Sequence, residues 1–279
     1  MSDLVAVAND LLFYLGDTHG ANGTTLVGIS LSNGSQVCTA HVDVAEVRYV
    51  GIGQTLDYDF TTKTLVLSGI TADGKGHAVY RADATRCGGF KKLGTYGDAT
   101  YLPMLHASAL DAKGQRLYVD LAVFDQAANA SVSALGVVDL TGTKPFTVVA
   151  EEATPDYHDL LIGMHFDPRR SRLVGVLGGG GNPLSLHAFD VASHGWAAAR
   201  PVRGVPSEWN VMGGNSGVVS TLDAESRSLY FIAGREYQIN ATHIGIDYYL
   251  ASVDVDTAVL RERRPRLSGE FPLMALLVG

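Results

Sequence analysis

Charge is thin in this chain, and positive charge thinner still. Only 18% of its 279 residues are Asp, Glu, Lys or Arg, and the formal net charge is −8. Such a chain lacks the electrostatic footprint that a polyanion needs. The one basic cluster, residues 261–266, also contains Glu262, and it reads as a solvated outer strand. No nucleic-acid partner is expected. Long apolar runs are missing as well. The stretch 273–278 is far short of the ~20 residues of a membrane helix, so no membrane span is expected. The start of the chain has no charged segment followed by an apolar core. No signal peptide is read there, and an intracellular protein is the simpler expectation. Cysteine occurs twice, at Cys38 and Cys87, with no metal-ligand spacing around either. Two free thiols are expected, with one disulfide between neighbouring outer strands as the alternative. There is no Gly-x-Ser-x-Gly elbow, and neither cysteine sits in a nucleophile's setting. The glycines at 178–181 lack the Lys-Ser/Thr ending of a phosphate loop and read as a turn.

What the chain does have is apolar residues, 46% of the total, the profile of a folded protein. It also has a repeated phrase: an acidic turn, a short gap, then an apolar run ending near a glycine. The run 65–67 follows Asp59, and 117–119 follows Asp111. Leu173 and Val174 follow Asp167, and 229–232 follows Asp223. A shortened copy opens the chain at Asp10. The anchor aspartates lie 52, 56 and 56 residues apart, and Asp10 stands 49 before Asp59. A four-stranded antiparallel blade fits that length. Repeats of this period mean units stacked around an axis.

A second acidic position confirms the register. Asp83, Asp139, Asp190 and Asp254 each end an alternating strand at a small turn, and Ser32 stands there in the first repeat. Short polar side chains stabilise such turns by bonding local backbone. The expected fold is all-β: a five-bladed β-propeller of four-stranded antiparallel blades, forming a single domain over 1–279. Six blades is the alternative, if an irregular blade hides between Arg235 and Gly269. A C-terminal strand at 273–278 is expected to complete the first blade and close the ring. The innermost strand of that blade is either this one or residues 4–8. The phrase Asp-x5-Leu-Tyr with its following glycine resembles the repeat of propellers of the lactonase, strictosidine-synthase and low-density-lipoprotein-receptor kind. That resemblance implies fold and carries over no catalytic residue. Asn215, ahead of Asp223, resembles the Asn-Gly signature of calcium-dependent lactonases, but its spacing differs by one residue.

Propellers bind on the loops at one end of the channel, those joining strand B to C and strand D to the next blade's A. The B-to-C loops are read at 16–23, 70–77, 124–131, 178–183 and 234–247. The D-to-A loops include 96–101, 151–159 and 204–217. The expected ligand-binding residues are Asp17, His19, Asp98, Tyr101, His106, Tyr157, Asp159, Trp209, Asn215, Tyr237 and His243. Asp156, His158 and Glu208 are the candidates for acid–base chemistry if buried there. An exposed Trp209 would anchor a ligand, whereas a buried one would plug its blade. Histidines 19, 106, 158 and 243 could converge on a metal, and Asp17, Asp98, Asp156 and Asp159 could hold Ca²⁺. His165 and His187 lie inside strands and read as hydrogen-bonded structural groups.

The absence of a catalytic motif favours a binding propeller for a protein, peptide or glycan. A small-molecule hydrolase or lyase, with or without Ca²⁺, is the alternative. Asn22, Asn33, Asn129 and Asn240 each open an Asn-x-Ser/Thr pattern. About one match would be expected by chance for so short a pattern, but all four lie in expected turns, where Asn, Gly, Ser and Thr gather anyway; a secreted, glycosylated mature form is the alternative to the intracellular expectation.

Overall fold

The computed structural model describes residues 5–8, 10–17, 24–42, 54–70, 77–84, 88–96, 104–125, 130–142, 147–152, 164–179, 182–211, 213–214, 217–218, 220–240 and 243–264. Every regular element among them is a strand. The fold is the expected five-bladed β-propeller, built of small antiparallel sheets. No helix among the described residues is long and apolar enough to cross a membrane. The chain falls into two compact units, Met1–Leu160 and Leu161–Gly279.

The first unit holds three blades. Blade one contains β1 (Val5–Ala8), β2 (Leu11–Asp17), β3 (Thr24–Ser30) and β4 (Gln36–Val42). Blade two contains β5 (Gln54–Asp59), β6 (Thr64–Ile70), β7 (His77–Asp83) and β8 (Gly88–Tyr96). Blade three contains β9 (Met104–Asp111), β10 (Arg116–Asp125), β11 (Ala130–Asp139) and β12 (Thr147–Glu152). In each blade the strands pair in chain order. Among the described residues β1 is the first strand of blade one, and the strand expected at 273–278 lies outside them.

The second unit holds blades four and five. Blade four runs β13 (His165–Asp167), β14 (Arg172–Gly179) and β15 (Asn182–Asp190). Its outer strand is broken into β16 (Gly195–Trp196) and β17 (Arg200–Pro201), both paired with β15. Blade five splits its inner strand instead. β18 (Trp209–Val211) and β21 (Ser220–Asp223) both pair with β22 (Ser228–Asn240). Between them lies the small pair β19 (Gly213–Gly214) and β20 (Gly217–Val218). β23 (His243–Asp254) and β24 (Val259–Arg264) complete the blade.

Two expected loops are therefore strand. The D-to-A loop at 204–217 contains β18 and β19. The loop read at 234–247 is the far half of the β22–β23 hairpin, paired up to Asn240 and His243. Gly234 looked like a strand end, but the alternating segment after it keeps pairing.

Each run after an anchor is buried on both faces because successive side chains serve different neighbours. Leu65 and Leu67 pack with Phe13, Leu15 and Leu26 of blade one. Val66, between them, packs with Leu117 and Val119 of blade three. In the second unit Val174 and Val176 of blade four meet Leu229, Phe231 and Ala233 of blade five.

The anchor turns work as expected, and they do one thing more. Asp59 Oδ1 accepts from the Thr61 and Thr62 N–H groups at 2.9 and 3.1 Å. Asp223 Oδ1 accepts from Glu225 and Ser226 N–H at 2.9 and 3.2 Å. The fourth residue after each anchor has a left-handed backbone: Lys63 (φ 54°), Gln115 (51°), Ser171 (47°) and Arg227 (62°). That conformation costs a non-glycine residue about 1–2 kcal/mol. In two cases the side chain so placed reaches back to the preceding blade's anchor. Gln115 Nε2 donates to Asp59 Oδ2 at 2.8 Å. Arg227 donates through both terminal nitrogens to Asp167, at 2.6 and 2.7 Å. Burial alone would raise these two carboxyls, but Gln115, with Thr62 and Thr61, holds Asp59 below its ordinary value. Arg227 and Arg172 do the same for Asp167.

The joint between blades four and five is tightened by a second carboxylate. Arg227 and Arg172 both reach Asp256 Oδ1 at 2.9 Å. Arg200 donates to the carbonyls of Val255 and Asp256, each at 2.7 Å. Bonding to Arg227 holds the Asp256 carboxyl down at about 2. These charges are consumed in holding two blades together.

Cys38, on β4, is disulfide-bonded and not the free thiol expected. β4 and β8 contact each other as outer strands of adjacent blades, the arrangement in which the alternative reading placed a bridge. Cys87, the chain's one other cysteine, lies outside the described residues.

Candidate functional site

Eight of the expected site residues lie outside the described residues: His19, Asp98, Tyr101, Asp156, Tyr157, His158, Asp159 and Asn215. In the first unit, Asp17 ends β2 opposite Thr24. His106 sits on β9 where the pairing with β10 slips by a residue between Asp120 and Leu121. Such a bulge re-aims a strand locally.

The second unit places Trp209, Tyr237 and His243 on the three adjacent strands β18, β22 and β23, with Glu208 in the turn just before β18. β22 and β23 are the longest strands among the described residues, at 13 and 12 residues. β18 accompanies β22 only as far as Arg235. β24 accompanies β23 only from Leu250 onward. Residues 236–240 and 243–249 thus form a two-stranded arm. Among the described residues, no strand pairs with its outer edges.

Packing at the base of the arm is aromatic. Trp209 is only 1% exposed. Its ring stacks on Tyr249 with centroids 4.8 Å apart and planes 19° from parallel. It plugs blade five, as the buried alternative required, and does not face solvent as a ligand anchor. Glu208, one residue earlier, is exposed, as is Arg235 opposite Trp209. Arg235 also pairs with Asp247 across the hairpin. Further out, Tyr237 stands opposite Gly245 and lies over it. A Cβ on Gly245 would sit 2.5 Å from Tyr237 Cζ and 2.7 Å from its hydroxyl. Gly245 is therefore what lets the ring lie down. Ile239, near the tip, is 59% exposed.

The inner strands hold a pair of contacts that residue types alone did not reveal. Ser108 Oγ, on β9, donates to Asp57 Oδ2, on β5, at 2.6 Å. Ser220 Oγ, on β21, lies 2.7 Å from His165 Nε2, on β13. Asp57 and His165 each stand two residues before an anchor, and Ser108 and Ser220 each stand three before the next. The same joint is thus built with an acid in one unit and a base in the other. Burial pushes the Asp57 carboxyl up to about 6, against the pull of Ser108. Burial pushes the His165 imidazole down to about 4. As expected of a structural group, His187 is also bonded, its Nε2 lying 2.8 Å from Ser185 Oγ. Aligning the repeats on their anchors would have exposed the Asp57–His165 equivalence.

Among the described residues, no three of His, Cys, Asp and Glu are placed to hold a metal. The carboxylates and histidines proposed for one lie mostly outside that set.

No protein-family model matches the chain, and no curated protein matches it in sequence. Its fold is shared by solved structures. An oligogalacturonate lyase in complex with manganese is similar over 92% of this chain and 61% of its own, at 14% identity and a TM-score of 0.52. A puromycin hydrolase mutant matches 95% of this chain and 39% of its own, at 13% identity and 0.55. A luciferin-regenerating enzyme matches 95% and 76%, at 11% identity and 0.54. The chain therefore spans less than two thirds of each of the first two proteins. Likeness at these identities is likeness of fold alone.

Proposed function

We propose that this chain is a binding propeller, and that the arm of blade five takes an extended peptide segment of a protein ligand. The observation that carries this reading is that no described strand pairs with either outer edge of the arm. A strand edge presents a row of unpaired N–H and C=O groups, and natural proteins normally cover or blunt it. Among the described residues no strand covers it along 236–240 and 243–249, on a hairpin stiffened by the Trp209–Tyr249 stack and the Tyr237–Gly245 contact. A peptide adds to such an edge through main-chain bonds, with side-chain contacts supplying choice. Ile239 offers an apolar contact near the tip, while exposed Glu208 and Arg235 offer charge of both signs at the base.

A second reading is a small-molecule hydrolase or lyase acting through carboxylates and histidines, Asp156, His158 and Glu208 among them, with or without Ca²⁺. The fold's use by a lyase and a hydrolase supports it. A random-peptide phage library panned on the whole protein separates the two. Wild type should enrich a peptide set that Ile239→Asp and an arm-shortened variant, both checked for unchanged melting, fail to retain. Equal enrichment by all three proteins would end the arm proposal.

A further inference from the structure

We infer that Asn33 is an N-glycosylation acceptor, and that the chain matures in an oxidising secretory compartment. Asn33 opens the pattern Asn33, Gly34, Ser35 in the turn from β3 to β4, where residues 31–37 are all exposed. The turn is well defined: Gly34 N–H donates to Ser30 O at 2.8 Å, and Ser30 N–H donates to Ser35 O at 2.9 Å. Asn33 Oδ1 accepts from Ser35 N–H at 2.9 Å. This Asx turn ties the carboxamide to the backbone of the pattern's own hydroxyl residue. Nδ2 has no partner among the described residues. Gly34 has φ +71°, the left-handed conformation that glycine adopts without strain.

A separate observation supports the compartment. Cys38 lies three residues beyond Ser35 and is disulfide-bonded. Structural disulfides belong to secreted and lumenal proteins and are rare in the cytosol. The pattern is therefore seen on a chain whose chemistry places it where the transferase works. This is the secreted alternative of the sequence reading, not its intracellular expectation.

The reaction is a glycosyl transfer from a polyprenyl-diphosphate-linked oligosaccharide. Asn33 Nδ2 attacks the anomeric carbon and an N–C bond forms. The C–O bond to the diphosphate breaks, and the lipid diphosphate leaves with the electron pair. The Nδ2 proton passes to a base on the transferase. No oxidant or reductant is needed. The product adds a bulky polar group to an exposed turn without disturbing a buried contact.

The test uses the full chain isolated from its own cells without reductant. Peptides spanning Asn33 are sequenced by mass spectrometry before and after peptide-N-glycosidase treatment in ¹⁸O water. The expected result is a glycan on Asn33 that the enzyme removes, leaving ¹⁸O-labelled aspartate. Ser35→Ala should abolish that mass, while Ser35→Thr should keep it. An unmodified Asn33 would overturn the inference. So would aspartate without ¹⁸O, the mark of spontaneous Asn-Gly deamidation, or a free Cys38 thiol in the isolated protein.

Discussion

Asp57→Asn should stabilise the protein at neutral pH and leave it unchanged in acid. Asp57 lies between the inner strands of blades two and three, accepting from Ser108 at 2.6 Å. Burial lifts its carboxyl from 3.8 to about 6. A carboxyl raised in the folded state contributes its stability below pH ~4 and loses it as pH climbs through ~6. The gap of about two units corresponds to about 3 kcal/mol, since one unit is 1.36 kcal/mol. Asparagine has the same shape and still offers Ser108 an acceptor, but it never ionises. The variant should therefore match wild type at pH 4 and exceed it by up to ~3 kcal/mol at pH 7.5. For a chain of this size that is a rise in Tm of roughly 6–12 °C. Thermal unfolding followed by circular dichroism from pH 4 to 8 reads this directly. A difference that stays flat with pH, or an asparagine variant weaker than wild type at pH 7.5, would refute the reasoning.

Three further outcomes follow from the same geometry. His165 is pushed down to about 4 by burial, so its contribution is present above pH ~6.5 and fades as pH falls through 4. His165→Gln should match wild type at pH 7.5 and gain on it below pH 5, the reverse of Asp57→Asn; parallel pH curves in the same unfolding assay would contradict this. Arg227→Met removes both bonds to fully buried Asp167 and should cost about 3–5 kcal/mol by urea titration, with Arg227→Lys only partly restoring it; a loss under 1 kcal/mol would show that Arg172 alone suffices. Gly245→Ala should displace the Tyr237 ring and speed chymotryptic cleavage after Tyr237 several-fold, read as a timed digest; an unchanged digestion rate would mean that the ring does not rest on Gly245.

The blades were legible because their signals are local. An anchor aspartate bonds N–H groups two and three residues on, and an apolar run buried on both faces keeps its composition wherever the chain goes. Joints between blades are not local. Asp57 meets Ser108 and Asp59 meets Gln115 across more than fifty residues, and nothing in either segment names its partner. The arm of blade five was located but misread as a loop, because Gly234 suggested an ending and the pairing of 235–240 with 243–247 outweighed it. Trp209 illustrates the limit for single residues. Next to Glu208 and Asn210 it could have pointed either way, and only its stack on Tyr249 decides.

The left-handed turn residues carry a consequence for how such a protein can change over time. Gln115 and Arg227 hold the same place in their repeats, and each plugs a socket made by the preceding repeat's aspartate. A copy of blade three or blade five would bring such a plug together with its socket. A copy of blade four, which carries Ser171 at that place, would leave a buried Asp167 with no arginine from the next repeat. Which wedge can be duplicated is therefore set by this polar reach between neighbours and not by the apolar filling alone.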